Sequence, residues 1–219
     1  MRLQGAIFDM DGTLLDSMPA WYDLTAGILR EEMGLPSDEE LEHTIQTGDL
    51  SRGSALLLSR YGVSCTPAEM TAMGDARMER FYRERVTPKP DVEKLLSILK
   101  MEGVWMYVAT ATDRHLAEAA LRHAGIDGYF RGILTCAEVG QGKDSPEIYE
   151  RCMRRLRSTK RDTVVFEDAL HAIQTAKAAG FRVCGVYDDV AREEQEEIRR
   201  LSDYYIRSFE EMFETETLE

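Results

Sequence analysis

The sequence predicts an α/β fold, a Rossmann-like parallel sheet core with an inserted α-helical cap domain. Three observations predict it. Short apolar runs recur along the chain and end in polar residues. From the second run onward they alternate with helical stretches, as a parallel sheet covered by helices requires. Between the first and second runs lies a long helical stretch without a convincing strand, far more chain than a simple crossover needs.

Taken in order, residues 3–8 (LQGAIF) form the first strand, short, apolar and closed by Asp9. Residues 18–33, 38–46, 50–61 and 67–85 read as helices, with Gly34, Pro36, Gly48, Gly62 and Pro67 marking the breaks. Pro88 and Pro90 stiffen the return to the sheet, and a helix over 92–100 follows. Strands are predicted at 104–109 (VWMYVA), 132–135 (GILT), 163–166 (TVVF) and 182–186 (RVCGV). Helices at 117–124, 146–156 and 169–179 separate them, with Gly125 and Gly180 at expected C-terminal ends. The charge-rich stretch 192–200 reads as a solvated helix face, and 204–206 as a short edge strand. The acidic tail from Glu210 is expected to fray. The domain division is therefore 1–16 with 88–219 for the core, and 17–87 for the cap.

A chain of 219 residues buries a core without staples. A formal charge of −13 argues against nucleic acid and anionic membranes as partners, since both carry the same sign. The four cysteines, Cys65, Cys136, Cys152 and Cys184, form no metal-ligand spacing and read as reduced core residues. No secretory leader and no apolar run of membrane-spanning length is visible, so a cytoplasmic location is the expectation; a monomer is the default.

Ligands of open parallel sheets bind beyond the carboxyl ends of the strands. The residues there are Asp9-Met10-Asp11-Gly12-Thr13, Thr110-Ala111-Thr112, Gly142-Lys143-Asp144 and Glu167-Asp168. Any one of these is explained as a turn or helix cap. Carboxylates, hydroxyls and a lysine arriving together at one edge are not.

The stretch 8–17 (FDMDGTLLDS) resembles the first motif of the haloacid dehalogenase superfamily. Thr110, Lys143 and the Glu167-Asp168 pair match its second, third and fourth motifs in order. The resemblance spans essentially the whole chain. It implies the helical-cap subgroup, in which phosphatases and sugar-phosphate mutases both occur. The chain departs from the family pattern at Asp144, Ala169, Ala172 and Asp91, none of which removes a metal ligand. Trp21 stands in the region where β-phosphoglucomutases carry a histidine, and no substitute histidine is visible there.

Chemistry assigns the roles. A phosphate ester repels an attacking carboxylate, so a divalent cation and fixed positive charge must offset the repulsion. Asp9 is the expected nucleophile, forming an aspartyl-phosphate. Asp11 is the expected acid and base. Mg²⁺ is expected on Asp9, Asp168 and the backbone carbonyl of Asp11, with Glu167 orienting that shell. Lys143, the Thr110 hydroxyl and the Ala111 amide are expected to hold phosphate oxygens. Asp16-Ser17 and Asp113 are expected to cap the helices that follow them.

The reading is a Mg²⁺-dependent phosphatase acting on a small phosphorylated metabolite. The alternative is a phosphosugar mutase using the same aspartyl-phosphate. A phosphoacceptor receiver needs neither the helical insert nor Asp11, and a dehalogenase needs no Mg²⁺ and hence neither Asp11 nor Asp168.

Overall fold

The structure, a computed structural model, describes residues 3–214. By its internal contacts the chain divides into two compact units, Met1–Met18 with Arg85–Glu219, and Pro19–Glu84.

The first unit holds a six-stranded parallel sheet: β1 (Gly5–Phe8), β2 (Trp105–Thr110), β3 (Ile133–Thr135), β4 (Thr163–Glu167), β5 (Arg182–Val186) and β6 (Tyr204–Ile206). Its spatial order is β3-β2-β1-β4-β5-β6, with parallel pairing throughout. The chain builds outward from β1 on one side, then returns to the other side at β4. That reversal is a topological switch point, the place where open α/β sheets form a crevice.

β1 and β4 are buried along their full length, which suits interior parallel strands covered on both faces. On one face Ile7, Val165 and Val183 meet Ile148, Cys152 and Leu156 of α9 (Glu147–Leu156), Ile173 of α10 (Leu170–Ala178) and Ile198 of α11 (Gln195–Leu201). On the other, Phe8 stacks on Phe166 with ring centroids 4.4 Å apart and meets Phe130 edge-on. Phe8 pairs with Phe166 and Val108 in the ladder, which sets Asp9 beside Glu167.

The unit also contains α6 (Val92–Met101), α7 (Arg114–His123), α8 (Cys136–Val139) and α12 (Glu211–Glu214). Asp91, before α6, has φ of 61°. That left-handed conformation favours glycine, and this chain meets it with an aspartate. The predicted cap at Asp113 differs in detail: it stands at the N-terminus of α7 but its side chain makes no capping bond. The predicted solvated face over 192–200 conceals one core contact, since Ile198 is fully buried. Of the tail predicted to fray, Glu211–Glu214 forms a helical turn and residues 215–219 lie outside those described.

Two passages of chain in this unit are paired. Leu15 bridges Pro88 in antiparallel fashion, Asp16 N donates to Thr87 O at 3.0 Å, and Lys89 N donates to Leu14 O at 2.9 Å. The Lys89 ammonium reaches Tyr187 O and Asp188 Oδ2, each at 2.8 Å.

The second unit is helical. Its elements are α1 (Met18–Tyr22), α2 (Leu24–Gly27), a π turn over Ile28–Glu32, α3 (Glu39–Gln46), α4 (Leu50–Tyr61) and α5 (Pro67–Glu84). Leu29, Leu41, Leu57, Cys65 and Met70 form its core. Asp38 and Asp49 cap α3 and α4 through the amides of Leu41 and Arg52, at 3.1 Å each. The single helix predicted over 18–33 is instead three segments. Arg77, arriving from α5, lies so close to Gly27 that a Cβ there would fall 2.3 Å from its guanidinium, and it pairs with Glu31 at 2.9 Å. Trp21 Nε1 donates to the buried Tyr82 hydroxyl at 2.9 Å. Among the described residues, no helix is long and apolar enough to cross a membrane.

Candidate active site

The carboxyl ends of β1 and β4 carry the buried carboxylates of the candidate site. Asp9 continues the β1 ladder, its amide donating to Phe166 O at 2.9 Å. The chain then folds into a tight loop in which the amides of Leu14 and Leu15 both reach Met10 O at 2.9 Å. Gly12 is needed at its turn. Its φ is +80°, and a Cβ there would lie 2.4 Å from Asp168 Oδ2. The loop brings Thr13 against the tip of β4, where its hydroxyl donates to Asp168 Oδ1 at 2.8 Å.

Asp9, Glu167 and Asp168 are buried together, with a carboxylate oxygen of each within 4.8 Å of the others. Lys143, carried by the loop after α8, is the cation among them. Its ammonium is paired with Asp9 Oδ1 and with Glu167 Oε1, the latter at 2.6 Å. The Tyr149 hydroxyl of α9 donates to the same Glu167 oxygen at 2.9 Å. Glu167 Oε2 is buried with no hydrogen-bond partner. Three carboxylates thus face one ammonium.

The electrostatic consequences follow from burial. Burial pushes the Asp9 carboxyl well above the usual range; Lys143 opposes the shift, and repulsion from Glu167, Asp168 and Asp11 adds to it. Asp168 is pushed up to about 7, by burial first and then by Glu167, while the Thr13 hydrogen bond holds it back. Burial works against the charge of Lys143, yet attraction to Asp9 and Glu167 outweighs it and raises the group above an ordinary lysine. Burial also lifts Tyr149 well above an ordinary phenol, so it stays a neutral donor.

This surplus of buried negative charge fits a divalent cation. Hard carboxylate oxygens in a confined space are the donor set Mg²⁺ takes, and an orphaned carboxylate oxygen suits a coordinated water.

Of the residues expected from sequence, Asp9, Lys143, Glu167 and Asp168 come together directly. Asp11 lies at the edge, its two carboxylate oxygens accepting from Ser17 Oγ at 2.6 Å and Thr112 Oγ1 at 2.7 Å. Thr110 is fully buried at the end of β2, with its hydroxyl accepting from the Thr112 amide at 3.0 Å, and Ala111 follows exposed. Ser17, expected as a cap, gives its hydroxyl hydrogen bond to Asp11. Sequence reasoning missed the parts of Tyr149 and Thr112. Tyr149 lies on the apolar face of α9 and reads as core; only the destination of its hydroxyl distinguishes it. Thr112 carried a signal, a second hydroxyl just past a strand end.

Known proteins of sequence and fold similar to this chain point to one family. A family profile described as haloacid dehalogenase-like hydrolase matches residues 3–180. The "Phosphorylated carbohydrates phosphatase" of Thermotoga maritima is 28% identical, covering 84% of this chain and 85% of that protein. "Fructose-1-phosphate phosphatase YqaB" of Escherichia coli is also 28% identical, over 82% of this chain and 94% of the relative. Among solved structures, a candidate β-phosphoglucomutase of Thermotoga maritima superposes with a TM-score of 0.76 at 26% identity, covering 93% and 94% of the two chains.

Proposed function

The chain belongs to the haloacid dehalogenase-like hydrolases and is a phosphoric monoester hydrolase, and from that premise we propose that it removes phosphate from a small phosphorylated sugar. The observation that carries the reading is Asp9 buried against Lys143 at the switch point, with a second carboxylate, Asp11, hydrogen-bonded by two hydroxyls.

Each residue takes one role. An Asp9 oxygen attacks phosphorus while the bond to the leaving oxygen breaks, and Asp11 gives that oxygen its proton. Water then attacks the aspartyl-phosphate, Asp11 takes a proton from it, and the bond to Asp9 breaks to release inorganic phosphate. Lys143, the Thr110 hydroxyl and the Ala111 amide hold phosphate oxygens. Glu167 fixes Lys143, as their 2.6 Å contact supports. Mg²⁺, held by the Asp9 and Asp168 carboxylates and the Asp11 carbonyl, would supply the charge that lets one anion approach another.

A panel of sugar phosphates scored for phosphate release with Mg²⁺ tests the reading. Steady release, abolished by excess chelator, is the expected result; full turnover in chelator would overturn the metal role. The similarity to a candidate β-phosphoglucomutase keeps one second reading, a phosphosugar mutase. Interconversion of sugar phosphates without phosphate release would favour it.

A further inference from the structure

We propose that Thr112 is a positioning residue for the acid–base carboxylate, an inference that rests on the phosphatase reading above. Both oxygens of Asp11 accept hydrogen bonds from hydroxyls on separate stretches of chain. Ser17, six positions onward, donates to Oδ1 at 2.6 Å. Thr112, 101 positions away, donates to Oδ2 at 2.7 Å. One hydrogen bond leaves a carboxylate free to turn about its last bond; two donors on opposite oxygens fix that rotation.

The Thr112 hydroxyl is itself aimed. The Thr112 amide donates to Thr110 Oγ1 at 3.0 Å, closing the turn just past β2 and setting the direction of the Thr112 side chain. Thr110 is fully buried at the end of a strand that pairs directly with β1, so the turn has a rigid base. The orientation of Asp11 is therefore set from β2 through Thr110 and Thr112. This matters for proton transfer, which requires the transferring oxygen within hydrogen-bond reach of the reacting atom. Pre-orientation by a packed supporting residue spares the site that adjustment.

The inference separates from a merely structural role through the leaving group. An alkoxide of a sugar must be protonated as it departs, whereas 4-nitrophenolate leaves without a proton. Thr112→Val removes the donor and keeps the shape. The expected result is kcat on the best sugar phosphate about tenfold lower with KM near wild type, the scale of one hydrogen bond to a charged group. The loss in kcat/KM should be clearly smaller on 4-nitrophenyl phosphate, and Thr112→Ser should restore both. Equal losses on the two esters, no loss on either, or failure of serine to restore activity would overturn the proposal. Asp11→Asn, measured in parallel, keeps the two levels apart. If it is as active as wild type on the sugar phosphate, the underlying mechanism fails; if it is impaired while Thr112→Val is not, only the positioning role fails.

Discussion

Thr13 and Asp168 stand 155 positions apart in the chain, yet the Thr13 hydroxyl donates to Asp168 Oδ1 at 2.8 Å in the interior of the sheet unit. The bond couples the loop after β1 to the tip of β4. It favours the ionised form of a carboxylate that burial otherwise pushes toward its acid.

Thr13→Val keeps the volume and deletes the donor. A buried carboxylate then loses a partner, which costs about 1–3 kcal/mol of stability. Urea unfolding should show that loss, and a Mg²⁺ titration should show weaker affinity. Unchanged values in both measurements would sever Thr13 from Asp168.

Gly12→Ala should be more damaging than its size suggests. The backbone is in the left-handed region, which costs a residue with a side chain about 1–2 kcal/mol, and the new methyl would land 2.4 Å from Asp168 Oδ2. We expect a lower melting temperature together with near-complete loss of turnover; a variant with ordinary activity would show that the loop rearranges freely.

Asp9→Asn should abolish turnover without unfolding the protein. It removes one of three buried negative charges while Lys143 keeps its contact with Glu167. Metal-free melting temperature should equal or exceed that of wild type. Residual turnover near wild type would reject Asp9 as the nucleophile.

In the helical unit, Asp38 gives a pH signature. Its carboxylate accepts from Arg60 at 2.8 Å, caps α3 and accepts from Tyr61 at 2.8 Å, and the Arg60 hydrogen bond above all lowers it from 3.8 to about 2. Because the folded value lies below the unfolded one, the unfolded chain binds more protons between pH 3.8 and 2. The stabilisation is therefore complete above pH 3.8 and lost as pH falls through about 2. Denaturation of wild type and Asp38→Asn should differ at neutral pH and converge across that window. A constant gap would assign the contribution of Asp38 to packing.

Much of this was legible in the sequence. Strands β1, β2, β4 and β5 are largely buried apolar runs ending in polar residues, and their parallel, helix-covered sheet follows from the alternation with helices, whereas the order in which they lie side by side does not. The four charged residues at the switch point were legible because each stands just past such a run or in its connecting loop. What local sequence could not carry was long-range contact. The interruption of the helix predicted over 18–33 accompanies Arg77, which approaches Gly27 from α5. The Tyr149 hydroxyl meets Glu167 across 18 positions, and nothing near Tyr149 in sequence distinguishes it from its apolar neighbours on α9. Thr112 meets Asp11, 101 positions away, only once β2 lies beside β1.

The pairing of Leu15 with Pro88, and of Asp16 with Thr87, pinches together the points at which the polypeptide leaves the sheet unit and rejoins it. Topologically, the intervening segment is a guest whose two ends are already clasped by the host. Its length and sequence can drift, or be exchanged for those of another guest, without altering the register of β1 against β2 and β4. Variation can then accumulate in one stretch of gene while the strands encoded on either side keep their places.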